Sequence, residues 1–177
     1  GHLMHHCLSH TELRSQAGTH VAWDFVELPS QILENWCWER SALDQFARHH
    51  ETGEPIGADL HAAMQRARTF HAASQQMRQL GFAALDLALH IDWDADRNAD
   101  PLSYARRLLA EYWPTPLPED HAIIASFDHL FGDPVGYAGG YYSYKWAEVL
   151  DADAFTRFRR EGPLDRATGM AFRHAIL

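Results

Sequence analysis

The spacing of the apolar residues constrains this chain most. They recur at helical intervals almost from end to end, and nowhere do they alternate cleanly enough to build a strand. From Pro29 onward Ile32, Leu33, Trp36, Leu43 and Phe46 return on one face, with Pro29 and Ser30 where a helix can start. A second helix is expected from a cap at Asp59 through Leu60, Met64, Ala67 and Phe70 to about Met77. Gly81 marks an expected kink, and the stripe resumes at Leu85 and Leu89. Residues 101–113, 141–160 and 165–177 read as further helices, and 121–131 is apolar again. The interruptions are "HHETGEPIG" from His49, "DWDADRNADP" from Asp92, "PTPLPED" from Pro114 and "GDPVGYAGG" from Gly132, each rich in residues that break helices. The expected fold class is therefore all-α, mostly helical.

Composition narrows the function classes. At 177 residues, 46% hydrophobic and 22% charged, the chain has the makings of one ordinary globular domain. The net charge of −9 offers no basic face for phosphates, so no nucleic-acid partner is expected. The apolar runs are short and broken by charge, so no membrane span is expected, and no signal peptide is visible. Two cysteines, Cys7 and Cys37, cannot make a disulfide framework, and reduced thiols point to a cytoplasmic protein. Thirteen histidines are many for this length, which directs attention to metal or proton chemistry.

Three stretches carry residue types suited to chemistry. "GHLMHHCLSH" opens the chain in the form of a cloning scar, yet His2 and His6 stand four apart, on one face of a helix, as zinc-binding histidines do. The zincin motif also needs a glutamate after its first histidine, and here Leu3 follows His2. "WDFVELPSQILENW" sets Asp24, Glu27 and Glu34 among aromatics. Such carboxylates need partners, either a metal or the positive end of a helix. "FDHLFGDPVGYAGGYYSYKWAEV" gathers His129, Tyr137, Tyr141, Tyr142 and Tyr144 around a glycine-rich loop. Those side chains can donate to a developing oxyanion, or they can form an aromatic core patch beside a turn. The E-x-x-H pairs of di-iron bundles, the G-x-S-x-G elbow, the P-loop and G-x-G-x-x-G are all absent from the sequence. The acidic stretch from Asp92 lacks the glycine and glutamate of a calcium loop.

Taken together, "GHLMHH", "WDFVELPSQILENWCWE", "HHETGEP", "GGYYSYKWAEVLDADAFTRF" and "EGPLDRATGMAFRHAIL" resemble the thimet oligopeptidase family of zinc metallopeptidases, in family order and over essentially the whole chain. The resemblance implies a mostly helical domain with a deep substrate channel and hydrolysis of short peptides by a zinc-activated water. In the family the zincin motif reads His-Glu-Phe-Gly-His. The resemblance implies that Gly1 and His2 are its last two residues and His2 the second zinc histidine, and the first histidine and the catalytic glutamate are then expected before residue 1. The third zinc ligand of the family falls on Glu27. Its transition-state and substrate groups fall on His129, Tyr137 and Tyr144, with Tyr141, Tyr142, Gly139 and Gly140 lining the same side. Asp24 is a candidate to orient a zinc histidine, and His5, His6 and His10 are expected to be ordinary helix residues. The loop between His129 and Tyr137 runs about two residues longer than the family's, and Asp133 and Pro134 stiffen it. Residues 1–177 are thus expected to be part of a peptidase catalytic domain, cut at both ends and inactive alone. The parent is expected to be a cytoplasmic monomer holding one zinc ion and acting on short peptides. The rival reading is a catalytically dead helical fragment serving as a structural or interaction module.

Overall fold

A computed structural model describes residues 1–98 and 100–177 and shows an all-α chain, with no strand among the described residues. Two compact units divide it: residues 1–70 together with 146–177, and residues 71–145.

The first unit holds α1 (His2–Leu8), α2 (Trp23–Val26), α3 (Leu28–Glu34), α4 (Arg40–Phe46), α5 (Ala58–Ala67), most of α9 (Ser143–Glu161) and α10 (Arg166–Ile176). Its core is Ile32, Phe155 and Phe158. Trp36 meets both phenylalanine rings edge-on, at 4.9 and 4.8 Å, and its indole N–H donates to the Pro163 carbonyl at 2.7 Å.

The helix expected to run from Pro29 through Phe46 is broken. α3 stops at Glu34, one 3₁₀ turn (Asn35–Cys37) follows, and α4 starts at Arg40. The buried Asn35 accounts for the break. Its amide nitrogen turns back to the Ile32 carbonyl (3.2 Å) and across to Asp151 Oδ1 (3.3 Å), and its Oδ1 accepts from Arg68 (3.1 Å). A side-chain amide that binds its own turn in this way competes with the helical ladder.

The helix expected over Asp59–Met77 is two helices. α5 begins two residues earlier than expected, on Gly57 as cap, with Asp59 in its first turn. It ends at Ala67, and α6 (Ala72–Ile91) starts after His71, whose φ of 54° lies in the left-handed region. α6 continues through Gly81 as one helix of 20 residues. The glycine answers a packing demand. A Cβ there would fall 3.0 Å from Tyr112 Cβ and 3.3 Å from Leu109 Cδ2.

The second unit is built on α6, α7 (Pro101–Ala110), a 3₁₀ turn (Ile123–Ser126) and α8 (Asp128–Phe131). Asp100 caps α7 by accepting from the Leu102 and Ser103 amides at 3.1 and 2.9 Å, with Pro101 in the first turn. Phe82, Leu85, Leu109, Phe127, Leu130 and Tyr141 form the core, and each such side chain contributes about 1.5–3 kcal/mol on burial. The acidic stretch from Asp92 folds into a turn in which Asp94 accepts from the Asp96 amide; Ala99 within it lies outside the described residues. No helix among the described residues is long and apolar enough to cross a membrane. Cys7 and Cys37 are free and exposed.

α9 and α10 are joined through one carboxylate. Glu161 Oε2 lies 2.5 Å from the Thr168 hydroxyl and accepts from Arg157 at 2.8 Å, while Oε1 accepts from Arg160 at 3.0 Å. These donors, Thr168 first, hold the Glu161 carboxyl down to about 2 from its ordinary 4.5. The pairing therefore supports the folded state fully above 4.5, and the support is lost as pH falls toward 2. Thermal unfolding followed by circular dichroism should show the midpoint dropping through that window. Glu161→Gln should flatten the drop while leaving the shape of the curve above pH 5 unchanged.

Candidate functional site

The first group of site residues is placed by a backbone contact. A Cβ on Gly1 would fall 2.2 Å from Ser30 Cα and 2.3 Å from the Pro29 carbonyl oxygen, so only glycine lets the start of α1 rest on the first turn of α3. His2 follows directly. Its Nε2 stands 3.2 Å from Glu27 Oε2, with the imidazole half-exposed and the carboxylate buried. Glu27 sits at the junction of α2 and α3, in the buried run Val26–Pro29. Its side chain is oriented by Ser30, whose hydroxyl lies 2.7 Å from Glu27 Oε2 and 2.9 Å from the Glu27 carbonyl.

The donors fit half of a zinc site. An imidazole nitrogen and a carboxylate oxygen are ordinary zinc ligands, and bonds of ~2.0–2.2 Å on a tetrahedral ion set two ligand atoms ~3.3 Å apart. No group of three or more His, Cys, Asp or Glu side chains is gathered as a metal site among the described residues. Any zinc held here therefore needs donors beyond this pair.

The other residues of the opening stretch differ from one another. His5 is 3% exposed, and burial, then the neighbouring His6 and His2, lower its pKa. His6 places Nε2 3.1 Å from the Thr19 hydroxyl. His10 is not a helix residue, because α1 ends at Leu8 and Ser9 turns away into extended backbone. Asp24 lies in the first turn of α2, where a carboxylate meets the positive helix end.

The second group lies in the other unit, and there the aromatic residues do come together. The His129 ring stands 5.6 Å from Tyr137, 5.7 Å from Tyr141 and 6.0 Å from Tyr144. Tyr137 and Tyr144 stack at 5.4 Å, with 14° between their planes. Tyr141 anchors the set in the core through Phe127 and Phe82, and burial raises its phenol pKa. Tyr142, next in sequence, is 42% exposed and stays out of that core. His129 is presented from α8, and its carbonyl accepts from the Tyr137 amide at 3.0 Å, so the loop returns Tyr137 to the histidine. The longer loop is itself ordered by Asp133, whose Oδ1 accepts from the Val135 and Gly136 amides at 2.9 and 3.0 Å.

Sequence reasoning missed the residue that holds this loop. Asp86 of α6 is wholly buried; Oδ1 accepts from the Gly139 amide and Oδ2 from the Tyr141 amide, both at 2.8 Å. The signal was present in "FAALDLALH", where a lone carboxylate sits in an apolar helical run.

Comparison with known proteins shows the family. The family model Peptidase family M3 matches residues 1–177, and the chain belongs to that family. It is 43% identical to oligopeptidase A of Escherichia coli (strain K12), 42% identical to the probable cytosolic oligopeptidase A of Arabidopsis thaliana and 34% identical to dipeptidyl carboxypeptidase of Salmonella typhimurium. Each match covers 100% of this chain but 26% of the relative, so the chain spans about a quarter of the length of these proteins.

Replacing Gly1 by alanine in the full-length protein should force α1 off α3. Such overpacking costs about 1–3 kcal/mol, read as a lower urea midpoint at unchanged m-value.

Proposed function

We infer that the protein of which this chain is part is a zinc peptidase that hydrolyses short peptides. The observation that carries this reading is the facing of His2 Nε2 and Glu27 Oε2 at 3.2 Å, in a chain that matches Peptidase family M3 throughout. His2 and Glu27 supply two metal donors. The resemblance assigns the remaining histidine and a general-base glutamate to the sequence before Gly1, which makes residues 1–177 part of a larger catalytic domain. Zinc, when bound, is a Lewis acid that polarises a carbonyl and brings water toward hydroxide at neutral pH.

The residues of this chain have separate tasks. Ser30 holds the Glu27 carboxylate in one orientation by its hydrogen bond to Oε2. Tyr144, with His129 or Tyr137, donates hydrogen bonds to the carbonyl oxygen as negative charge develops on it. Gly139, Gly140, Tyr141 and Tyr142 belong to the segment that receives the peptide. The relatives include a probable cytosolic oligopeptidase, which supports a cytoplasmic place for the parent. A monomer without nucleic-acid or membrane partners suits short peptide substrates.

The reading is tested on the full-length protein with a quenched fluorogenic peptide. Turnover should be abolished by a chelator, restored by zinc, and reduced by Glu27→Gln beyond the ~10–100-fold typical of losing a group that only orients a ligand. Full activity and full zinc content in Glu27→Gln would overturn the ligand assignment. The 177-residue chain alone should show no turnover, in keeping with a fragment that serves only as a helical module outside its parent. Chelator-sensitive turnover by it would mean that the missing donor and base are supplied within residues 1–177.

A further inference from the structure

Asp86 is an unusual residue for its position. Its carboxylate is 0% exposed, in the middle of the apolar face of α6, and all of its hydrogen bonds are spent on one loop and one histidine. The Gly139 and Tyr141 amides donate to its two oxygens at 2.8 Å each. His90, one turn on, sets Nδ1 2.9 Å from Oδ1 and 2.8 Å from the Asp86 carbonyl, so a single N–H bridges both acceptors. The His90 ring in turn lies nearly parallel to Phe131, at 6.1 Å and 24°, two residues past His129.

Stability alone does not account for this arrangement. An apolar residue at 86 would suit the core, and the cost of burying a carboxylate is met here only because it gathers three N–H donors. Two of those donors lie between Tyr137 and Tyr144. Gly139 follows Tyr137 by two residues, at a φ of +69° that favours glycine; Tyr141 precedes Tyr144 by three; Phe131 follows His129 by two. Holding the 139 and 141 amides holds the backbone between Tyr137 and Tyr144.

We propose that Asp86, held by His90, is a positioning residue that sets the stance of Tyr137 and Tyr144 for peptide hydrolysis. This rests on the function proposed above. Asparagine has the same shape but turns one acceptor into a donor facing an amide N–H, which releases one side of the loop while α6 keeps its packing.

The test uses the full-length protein, with active sites counted by bound zinc. Asp86→Asn should lower kcat by about 10- to 100-fold, the scale of a small misplacement at a reacting centre, with KM changed less. In a Tyr144→Phe background the same substitution should cost no more than about 3-fold, because the tyrosine it acts through is already lost. His90→Ala leaves the carboxylate in place and should shift kcat in the same direction by a smaller factor, so it serves if Asp86→Asn folds poorly. Wild-type kcat per zinc in both variants, or an Asp86→Asn effect undiminished in the Tyr144→Phe background, would overturn the proposal and leave Asp86 a purely structural residue. If the unsubstituted protein cleaves no peptide, the fault lies with the proposed function. Hydrogen exchange then decides: Asp86→Asn should speed exchange at the Gly139 and Tyr141 amides about tenfold or more while α6 stays protected, and an unchanged rate would refute the loop anchor itself.

Discussion

A carboxylate removed from water must find donors for its oxygens or shed its charge, and each unit of this chain is arranged around one that must be satisfied. In the first unit it is Glu27, 5% exposed, met by the Ser30 hydroxyl and by His2. In the second it is Asp86, wholly buried, met by two loop amides and His90. Both demands are local consequences of helix placement. α3 begins on the Glu27 carbonyl, which accepts from the Gln31 amide, and α1 approaches it only because Gly1 has no side chain. α6 carries no side chain at Gly81, which allows Tyr112 and Leu109 to close on it, and Asp86, further along the same helix, meets the loop.

The two carboxylates differ in what completes them. The donors around Asp86 come from the chain itself, so the loop is ordered without any ligand. Glu27 faces an imidazole nitrogen at the separation two ligands of one metal would take, and accepts from the Ser30 hydroxyl. A carboxylate whose oxygens are held by loop amides suits a structural anchor, and one that faces a second potential ligand suits a metal donor. Membership of Peptidase family M3 gives that contrast a direction.

Much of the helical character was legible in the spacing of apolar residues, because burial on one side of a helix leaves a period that sequence records directly. The boundaries were less so. Asn35 reads as one polar residue in an amphipathic run, and only its bonds to Asp151 and Arg68, 116 and 33 residues away, show why α3 stops there. Gly81 reads as a kink because glycine weakens helices; that it also makes room for Tyr112 is an approach no local pattern encodes. The aromatic residues around the glycine loop were legible as a set. That Tyr141 is buried while Tyr142 is exposed was not, since both lie in the turn before α9, where helical phase does not yet apply. Asp86 was hidden for a related reason: a single carboxylate in an apolar run looks like noise until its long-range amide donors are known.

The central claim is that His2 and Glu27 hold zinc in the full-length protein. X-ray absorption at the zinc K-edge tests it most directly. The account predicts one bound zinc with nitrogen and oxygen donors alone at ~2.0–2.2 Å, and the loss of one donor, or of the metal, in each of His2→Ala and Glu27→Ala. A sulfur shell at ~2.3 Å, or an unchanged spectrum in both variants, would contradict it.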